Sequence, residues 1–97
     1  MALDLLAFGP HPDDIEIGVG GTIAKQVRLG HQVGLCDLTR GELGSNGTVD
    51  DRLAEASAGA AVLGVAWREN LEWPDGEIAG ADQVRSAVEL LRRYRPA

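Results

Sequence analysis

The sequence predicts an α/β fold built on a parallel sheet, in the element order βαβαβα. Two observations predict this class. Short apolar runs alternate along the chain with segments in which apolar residues recur at helical spacing. Each strand reaches the next through a helix, and such a connection pairs the strands in parallel by a right-handed crossover. The 97 residues allow one compact domain, so residues 1–97 are treated as a single unit.

The first half of the pattern contains two strands and one helix. Residues 3–9 are apolar except for Asp4, which is typical of a strand that is buried on both faces. The first helix is predicted over residues 22–29, because apolar residues share one face there and Gly30 follows at the position of a C-terminal glycine. Residues 33–38 form the second predicted strand.

The second helix has clear start and stop signals. A glycine-rich loop over residues 39–47 precedes Thr48, which has Asp51 three residues later, as in a capping box. Gly64 ends the helix. Small apolar residues on one face predict close packing against a flat surface. These residues are Leu53, Ala56, Ala60 and Leu63.

The last elements are a third strand over residues 67–71 and a helix that Asp82 caps and that runs to about Tyr94. For the tryptophans beside this strand, including Trp73, core packing is favoured over sugar stacking. A sheet of three strands leaves an edge open. We therefore expect the chain to be the amino-terminal part of a longer protein, or to assemble with another chain.

The charge and the cysteine content exclude several functions. Nine Lys and Arg against fifteen Asp and Glu give a net charge of −6, which disfavours nucleic acid and anionic membranes as partners. The apolar stretches are too short to span a membrane and the first residues lack a secretory signal, so we expect a soluble, cytoplasmic protein. Because Cys36 is the only cysteine, any metal site has to use histidine and carboxylate ligands.

Residues with chemical potential follow the first predicted strand directly. Ligands of open parallel sheets bind at the carboxyl ends of the strands, where this chain has His11, Pro12, Asp13 and Asp14. His11 and Asp14 can both turn toward a single Zn²⁺, and Asp13 is then left beside them. The alternative is that the aspartates cap the following turn and His11 lies on the surface. The metal is favoured, because these polar groups are costly to bring together without a cation or substrate.

Three glycines before the first helix invite comparison with a dinucleotide-binding motif. Gly18, Gly20 and Gly21 do not fit it, because acidic residues stand where the pyrophosphate would bind. NAD binding is therefore discounted. We expect these glycines to let the first helix approach the sheet closely and to turn the chain sharply.

Three further residues lie outside the segment of residues 11–14. Cys36 is predicted to be a small buried hydrophobic residue. His31 follows the first helix, at the opposite edge of the sheet from His11, so it cannot bind the same ion. Arg52 falls in the first turn of the second helix, where a cation is unfavourable for the helix dipole. An anionic ligand or a carboxylate partner would offset this unfavourable interaction, so Arg52 is a candidate substrate contact.

With these residues, the chain resembles the zinc-dependent N-acetylglucosaminyl deacetylases of the PIG-L/LmbE-like family. The resemblance covers essentially all of the sequence. It is carried by residues 7–14 with Glu16 and the following glycines, by residues 37–42 with Gly47, Thr48 and Arg52, and by Asn70-Leu71 with Pro74-Asp75-Gly76. The loop over residues 40–48 looks most like the subgroup that deacetylates N-acetylglucosaminyl-malate in bacillithiol synthesis.

The resemblance implies the amino-terminal portion of a Rossmann-like three-layer sandwich, and a hydrolase that removes the acetyl group from an N-acetylglucosamine-containing substrate. It makes His11 and Asp14 ligands of zinc, or of another divalent metal. It makes Asp13 the general base that takes a proton from the attacking water. It assigns substrate binding to Arg52, with Ser45 and Asn46 in the same part of the chain.

The sequence departs from the family in one respect. Family members are considerably longer, and a later segment supplies a third zinc ligand, a histidine, and a second histidine that stabilises the oxyanion. Catalytic zinc normally has three protein ligands, so we expect weak binding by two and activity only on completion by a C-terminal segment. The alternative function is a non-catalytic metal- or sugar-binding half domain that forms homo-oligomers through its open sheet.

Overall fold

The computed structural model describes residues 2–12, 14–41, 48–74 and 80–96. The elements follow in the predicted order. They are β1 (Leu5–Gly9), α1 (Asp14–Arg28), β2 (Val33–Thr39), α2 (Val49–Leu63), β3 (Trp67–Trp73) and α3 (Ala81–Tyr94). The predicted α/β class is confirmed. No helix in the described ranges is long and apolar enough to cross a membrane.

The three strands form one parallel sheet in the order β1-β2-β3. The central strand β2 is almost completely buried, whereas the two outer strands each have one unpaired edge within the described part of the chain. The β2–β3 register shifts between Asp37 and Thr39, so that Thr39 pairs with Trp73. This irregularity falls at the carboxyl end of the sheet, where the loops after β1 and β2 begin.

One face of the sheet carries α1 and α2 and holds the apolar core. Ile15 and Ile23 of α1 pack with Val33 and Leu35 of β2, and each of the four is at most 3% exposed. Partly buried residues surround them: Leu5, Ala7, Val27, Leu63 and Val65. Because successive strand residues point to opposite faces, Asp37 and Thr39 also lie on this face of β2.

Helix α1 differs from the predicted helix. It begins at Asp14 rather than at residue 22, and Val19 interrupts it with non-helical angles (φ −137°, ψ 17°). Gly18, Gly20 and Gly21 therefore lie within the kinked helix. A Cβ atom at any of them would meet nothing within 4 Å, so the expectation that these glycines allow the helix to approach the sheet is wrong.

Strand β1 is shorter and less buried than predicted. It begins at Leu5, and its residues are half-buried up to Phe8, which is 38% exposed. Burial on both faces is therefore wrong for this strand. The reason is that the two faces of the sheet are covered unequally: α1 and α2 lie over the side that bears Ala7, while Phe8 points to the other side.

Helix α2 has the predicted ends, and α3 does not. Thr48 accepts a hydrogen bond from the amide of Asp51, whose carboxylate accepts one from the amide of Thr48, and Gly64 ends the helix with a left-handed conformation. In α3 the N-cap is Gly80, not the predicted Asp82, and it makes no side-chain hydrogen bond. The small-residue stripe of α2 faces β3 across a groove of about 360 Å³, so the packing is looser there than predicted.

The other face of the sheet is covered by α3. The ring of Tyr94 lies 4.5 Å from that of Trp67, and the Tyr94 carbonyl accepts a hydrogen bond from the amide of Leu3. Beyond this contact a groove of about 250 Å³ stays open. Six of the residues that line it are apolar: Phe8, Leu38, Trp73, Val84, Ala87 and Leu91.

Candidate functional site

His11 and Asp14 meet in the turn that follows β1. The Oδ2 atom of Asp14 accepts a hydrogen bond from the backbone amide of His11 at 3.0 Å and lies 3.2 Å from His11 Nδ1. The amide of Asp14 in turn donates to the His11 carbonyl at 3.2 Å. This reciprocal bonding closes the turn at the start of α1. The structure therefore brings together the two residues that the sequence predicts as ligands.

The donor types and their separation fit a zinc ion. An imidazole nitrogen and a carboxylate oxygen bound to one tetrahedral zinc lie roughly 3.3 Å apart, given bond lengths of about 2.0–2.1 Å. Both side chains are 42% exposed, so an ion could reach them from solvent. Among the described residues, no group of three or more His, Cys, Asp or Glu could hold a metal. Asp13 lies outside those residues, as do Ser45 and Asn46.

The turn is tied to the end of β2 by Thr39. The Pro10 carbonyl accepts hydrogen bonds from the Thr39 amide at 3.0 Å and from its hydroxyl at 2.8 Å. The same hydroxyl accepts a bond from the amide of Gly41 at 3.1 Å. Because Thr39 is completely buried, these bonds are shielded from water. They hold the first residues after β1 and those after β2 in one fixed arrangement.

Arg52 approaches this arrangement from the first turn of α2. Its Nη1 atom donates a hydrogen bond to the Gly41 carbonyl at 3.1 Å. Gly41 has a φ of +70°, which other residues rarely adopt, and a Cβ atom there would lie 2.6 Å from Arg52 Nη1 and 3.6 Å from Pro12 Cδ. Glycine at this position therefore leaves room for Arg52 on one side and for Pro12, which follows His11, on the other. The substrate contact predicted for Arg52 stays a prediction.

A buried ionic cluster beside the turn was missed by the sequence reasoning. The guanidinium of Arg68 donates two hydrogen bonds to Asp37 at 2.8 and 2.9 Å and two to Glu16, both at 3.0 Å. A fifth bond, at 3.3 Å, goes to the Ala56 carbonyl. Side-chain exposure is 7% for Arg68 and 2% for Asp37. One cation thus joins α1, β2 and α2 to β3, and the bidentate geometry to both carboxylates makes each contact specific.

The charge of Arg68 is secured by its two acidic partners. Burial opposes the charged form, but the hydrogen bonds to Asp37 and then to Glu16 outweigh it and raise the pKa of the guanidinium above its ordinary value. A signal for this cluster was present in the sequence. An aspartate within an apolar strand is almost never fully buried without a partner, so the position of Asp37 indicates a cationic partner elsewhere in the chain.

Asn70 stabilises the irregular pairing between β2 and β3. Its amide nitrogen donates to the Thr39 carbonyl at 2.7 Å, and its carbonyl oxygen accepts from the Glu72 amide at 2.8 Å. Glu72 has a φ of +58°, which is uncommon outside glycine. The side chain of Asn70 thus replaces ladder bonds that the register shift removes, and it supports the strand end that carries Thr39.

Two residues that the sequence places away from the site are indeed separate from it. Cys36 is completely buried, and burial, with the charges of Asp37 and Glu69, raises the pKa of its thiol to about 12. It is therefore protonated and unsuited to act as a nucleophile. His31 lies before β2, at the amino end of the sheet, where its ring contacts Gln26.

Comparisons with known proteins give consistent results. The chain is 37% identical to the diacetylchitobiose deacetylase of Thermococcus kodakarensis over 95% of its own length and 38% of that protein. Among solved structures it is similar to the conserved protein TT1542 of Thermus thermophilus, with 45% identity, a TM-score of 0.90 and coverage of 97% of this chain and 43% of that one. It is also similar to GalB, the 4-carboxy-2-hydroxymuconate hydratase of Pseudomonas putida, with 27% identity, a TM-score of 0.82 and coverage of 95% and 43%.

The chain thus spans about two fifths of the length of these proteins. The family model described as "PIG-L: GlcNAc-PI de-N-acetylase" matches residues 6–97, which include every strand and helix of the fold except the first residue of β1. Deacetylases are found among its relatives. On the extent of this match, the chain belongs to the PIG-L family.

Proposed function

We propose that the chain is the amino-terminal part of a zinc-dependent deacetylase that acts on N-acetylglucosamine-containing substrates. The observation that carries the proposal is the pairing of His11 Nδ1 with Asp14 Oδ2 at 3.2 Å, at the carboxyl end of β1. Two donors that zinc prefers are therefore preorganised at the end of the sheet where ligands of such folds bind. Membership of the PIG-L family and the deacetylase relative support the reaction class.

In this proposal His11 and Asp14 hold the metal. When bound, zinc polarises the acetamide carbonyl and lowers the pKa of water toward about 7. Asp13 accepts a proton from the attacking water, and the cleaved amide yields acetate and a free amine. Arg52 binds anionic or hydroxyl groups of the substrate from the first turn of α2. Its hydrogen bond to the Gly41 carbonyl holds it beside the loop that follows β2.

We further propose N-acetylglucosaminyl-malate, as in bacillithiol synthesis, as the substrate. The support is chemical. A malate aglycone carries two carboxylates, and Arg52 is a cation at the end of α2, whose N-terminus is itself favourable for anions. Diacetylchitobiose, the substrate named in the Thermococcus relative, has no carboxylate. A preference for the malate compound that disappears in Arg52→Met would support this assignment, while equal turnover of both compounds would refute it.

Metal binding is tested directly by calorimetric titration of the 97-residue chain with Zn²⁺. His11→Ala removes one of the two proposed ligands and should weaken binding by at least about tenfold. His31→Ala is the matched control, because it removes the other histidine of the chain, at the amino end of the sheet. Equal affinity of His11→Ala and the unaltered chain would refute the proposed site.

Turnover is tested on the complete gene product by measuring acetate release. Asp13→Asn should lower the rate by about 10²–10⁴-fold, the range of general-base catalysis, with zinc affinity unchanged. Retained turnover in this variant would exclude Asp13 as the base.

The likeness to GalB supports a second candidate, the addition of water to a carboxylated enol. Proton transfer near a bound cation would serve this reaction as well. The deacetylase is favoured, because the identity to the Thermococcus enzyme is higher than that to GalB. Consumption of such an enol without acetate release from any N-acetyl sugar would reverse this preference.

A further inference from the structure

We propose that Arg68 is a positioning residue for the His11–Asp14 pair, which it orients by holding Glu16 in the same turn of α1 as Asp14. This inference deepens the proposed function and rests on it for the metal. The structural part of the proposal, that Arg68 and Glu16 fix the first turn of α1, is independent of any ion and is tested separately below.

A kink at Val19 divides the first turn of α1 from the rest of that helix. Val19 breaks the helical angles, and an added Cβ atom at the glycines on both sides of it would meet no other atom within 4 Å. Glycine is a common site of helix kinks, and the kink gives residues 14–18 a direction different from that of the rest of the helix. Contacts made by residues 14–18 therefore help to orient Asp14, together with its hydrogen bonds to His11.

Two contacts hold this short segment against the sheet. On one side Ile15 packs against β1, where a Cβ atom at Gly9 would lie only 2.7 Å from Ile15 Cγ1. On the other side the carboxylate of Glu16 accepts two hydrogen bonds at 3.0 Å from Arg68. Apolar packing alone permits sliding, whereas two parallel charge-assisted bonds fix both distance and orientation.

Arg68 is itself immobilised, so it can serve as a fixed reference for the turn. Its guanidinium is held by Asp37 of β2 through two further bonds at 2.8 and 2.9 Å and by the Ala56 carbonyl of α2. The side chain is only 7% exposed. The central strand of the sheet and the turn that bears Asp14 are thereby linked through one rigid planar group.

A positioning role differs in its consequences from a stabilising role. Glu16 is the suitable residue to change, because its side chain is 24% exposed and its loss leaves Arg68 paired with Asp37. Glu16→Ala therefore releases the turn while the buried ion pair stays intact. Glu16→Gln is the conservative variant, since its carbonyl oxygen can still accept one of the two bonds from Arg68.

The experiment compares Glu16→Ala and Glu16→Gln with Asp82→Ala in the 97-residue chain. Asp82 is the matched control, because it is also a first-turn acid that pairs with an arginine, Arg85, but it is 89% exposed. Amide hydrogen exchange is measured by NMR for residues 14–18 and, as an internal reference, for residues 20–28. Zinc affinity is then measured by calorimetry for the same variants.

The expected result is a specific loosening of the first turn. In Glu16→Ala, exchange in residues 14–18 rises by about tenfold or more over that in residues 20–28, zinc affinity falls by about tenfold, and Glu16→Gln restores part of both. Asp82→Ala changes neither. Should Glu16→Ala not fold, the comparison is made between Glu16→Gln and the unaltered chain.

Two results would overturn the proposal. The structural part fails when exchange in residues 14–18 of the folded variant matches that of the unaltered chain. The proposed link to the metal fails when Glu16→Ala raises exchange in residues 14–18 but leaves zinc affinity unchanged, while His11→Ala abolishes zinc binding. Failure of the proposed function looks different: His11→Ala then binds zinc as the unaltered chain does, and the exchange data still decide whether Arg68 and Glu16 hold the turn.

Discussion

The two faces of the sheet are covered in different ways. The face under α1 and α2 combines an apolar core with a buried ionic cluster, in which Arg68 is paired with Asp37 and Glu16. The face under α3 has one aromatic contact, between Trp67 and Tyr94, and an open apolar groove beside it. The same strands contribute to both, so the contrast arises from the residues that alternate along them and from the helices that cover them.

This difference between the two faces shows which contacts determine how the helices and strands are arranged. Apolar contacts are non-directional and leave alternative packings close in energy. Four charge-assisted hydrogen bonds around Arg68 accept only one arrangement of α1, β2 and β3. The face with these charge-assisted bonds is also the face next to the His11–Asp14 turn. The contacts that fix the helices and strands most precisely therefore lie next to the residues proposed to bind zinc.

Among changes that test the difference between the two faces, removal of the Arg68 guanidinium should have the largest effect. Arg68→Met leaves the carboxylate of Asp37, 2% exposed, buried without this cation. Loss of one member of a buried ionic cluster costs about 3–5 kcal/mol of the free energy of unfolding. This is a large part of the total stability of a small domain, and we expect urea denaturation followed by circular dichroism to show it.

The control for this change is Arg85→Met on α3. The Arg85–Asp82 pair spans 3.3 Å, and its side chains are 73% and 89% exposed. Screening by water reduces the value of such a pair, so its loss should change stability by about 0.5 kcal/mol or less. An equally small effect of Arg68→Met would mean that the carboxylates of Glu16 and Asp37 find other partners, and it would remove the distinction between the two faces.

Two leucines, one on each face of the sheet, allow the same comparison with smaller expected effects on stability. Leu35 is completely buried in the core under α1, whereas Leu91 of α3 is 44% exposed at the groove. Leu35→Ala should cost about 2–5 kcal/mol, because it leaves a cavity in a closely packed core. Leu91→Ala should cost about 1 kcal/mol, because much less apolar surface returns to water. Both values are measured by urea denaturation.

Equal costs for the two leucines would contradict the description of the α3 face. They would show that Leu91 is as tightly packed in solution as Leu35 and that the groove closes. The opposite outcome, with no measurable cost for Leu91→Ala, would mean that the Leu91 side chain adds nothing to folding. In that case other contacts would hold α3, among them the buried side chain of Leu90 and the contact of Tyr94 with Trp67.

The order of the elements and most of their ends could be predicted from local sequence patterns. Thr48 and Gly64 mark the ends of α2 because capping depends on residues within one turn. The start of α1 was mispredicted, because glycines that usually break helices only kink this one, at Val19. What holds its first turn is the contact between Glu16 and Arg68, 52 residues apart, which no local pattern contains.

The same distinction applies to the candidate site. His11 and Asp14 are three residues apart, so their juxtaposition could be inferred from a single turn. The position of Arg52 in the first turn of α2 could be predicted from the capping signal at Thr48, whereas its hydrogen bond to Gly41 was not predicted. The residues around that turn, Thr39 and Arg68, contact it across the sheet. The contacts of these two residues with the turn depend on the register of the strands, which the sequence alone does not provide.

The smallest predicted effects concern the caps of the two helices that follow β2 and β3. Thr48→Ala removes the hydroxyl that accepts the Asp51 amide in the capping box of α2 and should cost about 1 kcal/mol. In α3 the corresponding residue is Gly80, which has no side-chain cap. Gly80→Ser should therefore stabilise the chain by a few tenths of a kcal/mol, roughly the difference between serine and glycine at this position, once the flexible Gln83 side chain moves aside. Thermal denaturation of the two variants measures both changes. A gain from Gly80→Ser shows that α3 folds with the rest of the chain, since a cap on a helix that is already detached would leave the main transition unchanged.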